Sequence, residues 1–181
     1  MKKKYYTWDN IEQAADKIIL QMYNDNWRPD YIVGITRGGL PLALVLSHKL
    51  KCRMETLKVK LRDCVDDESC ETNCWMADDA FGVEVDDELR SNSSPEKRKK
   101  ILIVDDINDT GATFNWIKQD WQSSCLPDDK SWNDVWHNNV RFAVMTENLS
   151  SEFQGVDYCW DEVDKNEEDV WLCYPWESET K

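Results

Sequence analysis

At 181 residues the chain is long enough for one domain with a real core, and 41% hydrophobic with 32% charged residues place it in the soluble globular class. Its net charge of −14, from 36 acidic and 22 basic residues, repels polyphosphate backbones and so excludes broad DNA or RNA binding. No apolar run approaches the roughly 18–20 residues of a membrane span, and the start MKKKYYTWDN lacks an apolar signal region, so the expected location is the cytoplasm.

In chain order, the helical spacing of Ile11, Ala14, Ala15, Ile18, Ile19 and Met22 predicts a helix over 7–23, capped by Thr7 or Asp9. The apolar run 31-YIVGI-35 predicts a buried strand, broken by 36-TRGGLP-41. Leu40 to Lys51 predicts a second helix, and Met54 to Leu61 a second strand. Between 63 and 100 the composition turns acidic and polar, and only 75-WMADDAFGVEV-85 offers apolar anchors, so this segment is expected to be a long insertion or mobile loop. Next come a strand at 101-ILIV-104 and a helix from about Ala112 to Gln122 with Phe114, Ile117 and Trp121 on one face. A polar connection over 126–139 leads to a strand from Arg141 to Thr146, then to two short strands in Tyr158–Trp160 and 170-VWLCYPWE-177. Strands alternating with helices imply a single α/β domain with a mainly parallel sheet. The seven cysteines are odd in number and irregularly spaced, which predicts reduced thiols. Cys64, Cys70 and Cys74 lie close enough to suggest a metal set, but no CxxC and no nearby histidine supports one.

In parallel sheets ligands bind where strands end, and two strand ends here carry unusual loops: 36-TRGG-39 and 105-DDINDTGAT-113. In the second loop Thr110, Gly111, Ala112 and Thr113 sit at a strand-to-helix turn. Small residues let backbone N–H groups approach a ligand, and a helix N-terminus favours an anion, here one the size of a monophosphate. Asp105 and Asp106 repel that anion and instead suit sugar hydroxyls or a magnesium ion. Asp109 stands between the two and is the candidate for proton transfer. In the first loop Arg37, Gly38 and Gly39 supply a cation and backbone donors for a pyrophosphate; of Lys58, Lys60 and Arg62, at least two are expected on a solvated strand face, and the remainder could add charge there. A ribose with a 5-phosphate and a 1-pyrophosphate is phosphoribosyl pyrophosphate, PRPP. An ILIVDD string also opens magnesium-binding receiver domains, but there it lies at the N-terminus and DTGAT has no role.

The segment 101-ILIVDDINDTGATF-114 resembles the PRPP signature of type I phosphoribosyltransferases. With 33-VGITRGGLP-41 and 171-WLCYPWE-177 in the same order, the chain resembles the purine branch, the xanthine/hypoxanthine/guanine phosphoribosyltransferases. The resemblance implies a parallel sheet flanked by helices, with a small C-terminal hood over about 147–181. It implies transfer of phosphoribosyl from PRPP to a purine base with Mg²⁺, in a homodimer or homotetramer. By position, Asp105 and Asp106 would bind the ribose hydroxyls and metal, and Asp109 would be the general acid/base near N7 of the purine. Thr110 to Thr113 would cradle the 5-phosphate, Arg37 and Gly38 would contact pyrophosphate, and Trp171 would stack on the base with Leu172 at its edge. The family's flexible loop would follow Arg62.

One position departs. Purine enzymes of this kind place a lysine just after the strand equivalent to 141-RFAVMT-146, for the oxygen at C6. Here Glu147-Asn148-Leu149 follows, and the next lysine is Lys165. Asn148 is an alternative, weaker donor. Two further readings stay open: a non-catalytic PRPP- or nucleotide-binding regulator of the same fold, and a phosphoribosyltransferase for a non-purine acceptor.

Overall fold

A computed structural model describes residues 2–61, 70–83 and 94–177. A short strand, β1 (Lys2–Tyr5), precedes helix α1 (Trp8–Asn24). Thr7 caps this helix: its hydroxyl accepts from the Asn10 amide, and the Asn10 side chain reaches back to the Thr7 N–H at 2.9 Å. That reciprocal pair satisfies two otherwise orphaned donors. Strand β2 (Tyr31–Thr36) leads into α2 (Leu40–Leu50), which Lys51 ends in the left-handed region at φ 52°. Then follow β3 (Arg53–Lys58), α3 (Cys74–Phe81), β4 (Ile101–Asn108), α4 (Ala112–Ser124), β5 (Val140–Asn148), β6 (Tyr158–Val163) and β7 (Val170–Cys173).

The main sheet has five strands in the order β3-β2-β4-β5-β6, and every pairing in it is parallel. Helices cover both faces, so the central strands read as unbroken apolar runs rather than alternating ones. In β4, Ile101 and Ile103 pack with Phe114, Ile117 and Trp121 of α4 and with Met76, Ala77 and Phe81 of α3. Leu102 and Val104 point the other way, to Ile11 and Ile18 of α1 and Leu42 and Leu46 of α2. The expected α/β architecture is therefore present, with the DDINDTGAT loop leaving the carboxyl end of the central strand.

Three expectations change. Residues 74–81, inside the segment expected to be an insertion or loop, form α3, and its Met76, Ala77, Ala80 and Phe81 are buried in the core. Their helical spacing is masked in the sequence by Asp78 and Asp79 between them. Of the rest of that segment, 62–69 and 84–93, including Arg62 and Cys64, lie outside the described residues. The hood is not purely C-terminal: β7 pairs with β1 in a two-stranded parallel sheet, Lys2 beside Val170 through Tyr5 beside Cys173, while β6 completes the main sheet. Strands β4 and β5 also run on past their apolar stretches, pairing Asn108 with Glu147. Backbone ladder bonds continue there although the side chains no longer signal a strand. The described cysteines, Cys52, Cys70, Cys74, Cys125, Cys159 and Cys173, are free thiols. Among the described residues no helix is long and apolar enough to cross a membrane.

Candidate active site

At the carboxyl end of the main sheet lies a cavity of about 580 Å³. Its lining includes every residue from Asp105 to Phe114, with Lys60 on one side and Lys165, Trp171, Leu172, Tyr174 and Glu177 from the hood side. Every candidate residue of the second loop thus shares one cavity with both candidate base-binding residues. Trp171 is 51% exposed and lines the cavity, so it is not a core aromatic, whereas Leu172 is 6% exposed and anchors β7.

The phosphate turn is open at its helix end. Gly111 takes φ 87° at the N-cap of α4, where no side chain caps the helix. A side chain at Gly111 is doubly excluded, by that conformation and because a Cβ would stand 2.4 Å from the Phe153 amide nitrogen. The turn is braced from the β5–β6 connection. Asn108 donates to the Phe153 carbonyl at 2.8 Å and accepts from Ser151 Oγ at 3.0 Å, while the Glu152 N–H donates to the Thr110 carbonyl at 3.2 Å. The first turn of α4 therefore lines the cavity from a fixed loop, with the Ala112 N–H donating to Thr110 Oγ1 at 3.4 Å, and a helix N-terminus so placed favours an anion.

Asp105 and Asp106 end the apolar part of β4. Each carboxylate accepts the next residue's N–H, Asp105 from Asp106 at 2.9 Å and Asp106 from Ile107 at 2.8 Å. Burial, and then the neighbouring Asp106 charge, hold the Asp105 carboxyl well above the ordinary carboxylate range. Burial raises Asp106 as well, and a hydrogen bond between the two carboxyls favours the proton on Asp105. Two adjacent buried carboxyls that resist ionising together suit a divalent cation, whose charge would let both ionise. Among the described residues no group of three or more His, Cys, Asp or Glu is placed to hold a metal, so an ion here would take further ligands from a bound phosphorylated substrate. The Tyr174 hydroxyl donates to the Asp106 carbonyl at 3.3 Å and shares a 3.1 Å hydrogen bond with Thr146 Oγ1, tying the hood to the acidic pair.

The first loop meets this pair from the side. The Thr36–Arg37 peptide is cis, and Arg37 is exposed. The cavity lining does not include Arg37, Gly38 or Gly39. Gly38 abuts the Asp106 carboxylate and Gly39 abuts the Val104 carbonyl so closely that a Cβ would come to 2.1 and 2.3 Å of them, respectively. The glycines are thus required for two loops to touch, as well as for backbone donors.

Asp109 is held differently from the other two acids. Its Oδ1 pairs with Lys165 Nζ at 2.8 Å, across the cavity wall from the turn between β6 and β7. Asn148 clamps the same corner: its Nδ2 donates to the Asp109 carbonyl at 2.8 Å, and its Oδ1 accepts from the Lys165 N–H at 3.1 Å and from Ser150 Oγ at 2.7 Å. Asn148 is buried and does not line the cavity, so it is not placed as a base donor. The residues that sequence reasoning passed over are Asn108, Tyr174, Glu177 and, as an active-site group, Lys165. Asn108 carried a signal in its place inside the DDINDTGAT string, and Tyr174 and Glu177 in theirs inside 171-WLCYPWE-177.

A family model described as phosphoribosyl transferase domain matches residues 1–173. The chain is 24% identical over 201 residues to a xanthine phosphoribosyltransferase of Saccharomyces cerevisiae, covering 98% of this chain and 91% of the relative. It is 25% identical over 211 residues to a hypoxanthine-guanine phosphoribosyltransferase of Schizosaccharomyces pombe, covering 97% of this chain and 89% of that protein. Its fold is similar to the crystal structure of a purine phosphoribosyltransferase from Pyrococcus horikoshii, with a TM-score of 0.65 and 22% identity over 100% of this chain and 98% of that one.

Proposed function

The chain belongs to the phosphoribosyl transferase domain family, and on that premise we propose that it transfers 5-phosphoribosyl from PRPP to guanine, xanthine or hypoxanthine, releasing pyrophosphate. Membership makes it an enzyme of the glycosyltransferase type, a pentosyltransferase. The observation that carries the purine reading is the cavity that joins an open phosphate turn, a buried acidic pair and Asp109 to an exposed Trp171. The purine enzymes among its relatives support the same acceptor class.

In this reading the amides and hydroxyls of Thr110 to Thr113 hold the 5-phosphate. Asp105 and Asp106 hold the ribose hydroxyls and a Mg²⁺ ion, which when bound supplies charge neutralisation for the pyrophosphate and for the two carboxyls. Arg37, Gly38 and Gly39 receive pyrophosphate at the neighbouring strand end. Trp171 covers one face of the base and Leu172 fixes its edge. As the bond from C1 of ribose to pyrophosphate breaks, N9 of the purine bonds to C1, and Asp109 takes the proton leaving N7. The hood side of the cavity, with Trp171 and Tyr174, keeps water from the developing cation. A cytoplasmic location suits the free thiols.

The test is pyrophosphate release from Mg²⁺–PRPP with a panel of guanine, xanthine, hypoxanthine, adenine and uracil. Turnover with the oxopurines and none with uracil is expected. No release with any base would overturn the reading.

A further inference from the structure

We propose that Tyr174 is a positioning residue for Asp106, and that the ion pair of Lys4 with Asp161, outside the cavity, sets how firmly it holds; the consequence for substrate rests on the reading that Asp106 helps to hold PRPP. Three buried side chains connect the two ends: Tyr6, Thr146 and Tyr174. Tyr6 follows β1, Thr146 lies in β5 and Tyr174 follows β7. Thr146 Oγ1 is 3.1 Å from each of the two phenol oxygens, and the Tyr174 hydroxyl is 3.3 Å from the Asp106 carbonyl oxygen. At the other end the Tyr6 hydroxyl donates to the Asp161 carboxylate, which Lys4 also pairs with. Of these residues only Tyr174 and Asp106 line the cavity.

The contact with Asp106 falls on a sensitive peptide. The Asp106 carbonyl and the Ile107 N–H belong to the same peptide unit, and that N–H donates to the Asp106 carboxylate at 2.8 Å. By holding the carbonyl, Tyr174 therefore orients the donor that fixes the acid. Proton count sets the direction of the chain behind it. A hydroxyl has one proton to give, and a carboxylate only accepts. Burial opposes ionisation of Asp161, but Lys4 and Tyr6 outweigh it and hold the carboxyl below its ordinary range. Burial raises both phenols, so each keeps its proton. Tyr6 gives its proton to Asp161, Thr146 gives its own to Tyr6, and Thr146 then accepts from Tyr174. The one proton of Tyr174 is divided between Thr146 and the Asp106 carbonyl. Charge-assisted bonds are the stronger ones and polarise the bonds behind them, so the ion pair draws that proton away from Asp106.

The experiment reads the Asp106 carbonyl carbon by NMR in the full chain without ligand; this resonance moves downfield when its oxygen gains a hydrogen bond. Tyr174→Phe removes the donor but keeps the ring stacked on Tyr6 and Trp176, at centroid distances of 5.1 and 5.0 Å. The resonance is expected to move upfield. Tyr6→Phe frees the Thr146 proton to turn to Tyr174, and Asp161→Asn supplies an amide that donates to Tyr6 and reverses the chain. Either change leaves the Tyr174 proton to Asp106, and the resonance is expected to move downfield. Thermal melting confirms that each variant folds. In a second arm, calorimetry with PRPP and Mg²⁺ is expected to show affinity weakened on the order of tenfold in Tyr174→Phe. A resonance that stays in place in Tyr174→Phe or in both other variants, or that moves the same way in all three, overturns the proposal. So does an unchanged PRPP affinity in Tyr174→Phe. The resonance is read without substrate, so failure of the wild type to bind PRPP counts against the proposed function alone.

Discussion

Gly38 and Asp106 stand in direct contact: a Cβ on Gly38 would lie 2.1 Å from Asp106 Oδ2. Two loops that are far apart in sequence thus share one surface, and the acid's carboxylate takes the place where a side chain would be. Gly38→Ala is expected to displace Asp106, or to push the β2–α2 loop away from it. Misplacement of about 1 Å in a site of this kind costs on the order of a hundredfold. The expected outcome is a loss of that size in kcat/KM for PRPP, measured by steady-state pyrophosphate release, with the fold retained in circular dichroism. Unchanged kinetics would show that the contact is incidental.

Asp105 makes an opposite demand on stability. Its carboxyl is raised by burial and by Asp106, so the folded chain holds a proton that the unfolded chain gives up at lower pH. Between the ordinary value of 3.8 and the raised one, the folded state binds more protons, and stability falls as pH rises. Asp105→Asn removes this cost. The variant is expected to melt higher than wild type at neutral pH, by about 1 kcal/mol or roughly 2–4 °C, and the gain is expected to vanish as pH approaches 4. PRPP turnover falls in the same variant. Melting curves across pH 4 to 8 check this, and a gain that does not depend on pH would refute the assignment.

Asp109 differs from the acidic pair because a cation, not another acid, faces it. If it moves the purine proton, its loss affects the chemical step and leaves the phosphate turn intact. Asp109→Asn is expected to lower kcat by about 10²–10⁴-fold, with PRPP affinity by calorimetry within a factor of about two. A large loss of PRPP affinity instead would place Asp109 among the donor-binding groups.

Much of the fold was legible because its signals are local. Thr7 and Asn10 form a cap, Ile101 to Val104 are apolar on both faces, and Thr110 to Thr113 sit at a strand-to-helix turn. The α3 helix was obscured because acidic residues break its apolar spacing, and β1 because Lys2 to Lys4 are strand residues only through their pairing with β7. The proposed donor half of the site lies almost wholly within one continuous string, and that string lines one cavity. The other half is not continuous in sequence. Lys165 and Asp109 are 56 positions apart (165 − 109), and only the pairing of β4 with β5, and of β5 with β6, brings them together. No lysine follows β5 directly in sequence, whereas the structure brings Lys165 into the cavity lining from the turn after β6.

Asn148 joins these halves, and its removal should reveal the join. Asn148→Ala leaves the Asp109 carbonyl without its side-chain donor and takes the acceptor from the Lys165 N–H and Ser150 Oγ in a buried corner. The cost is expected to be about 2–4 kcal/mol, a fall in melting temperature of roughly 5–10 °C. Thermal melting of Asn148→Ala against Asn148→Asp checks this: Asp keeps the acceptor for the Lys165 N–H and loses only the donor to Asp109, so it is expected to lose less stability than Ala. Equal losses in the two variants would show that the bond to the Asp109 carbonyl, and not the bond from Lys165, holds this corner.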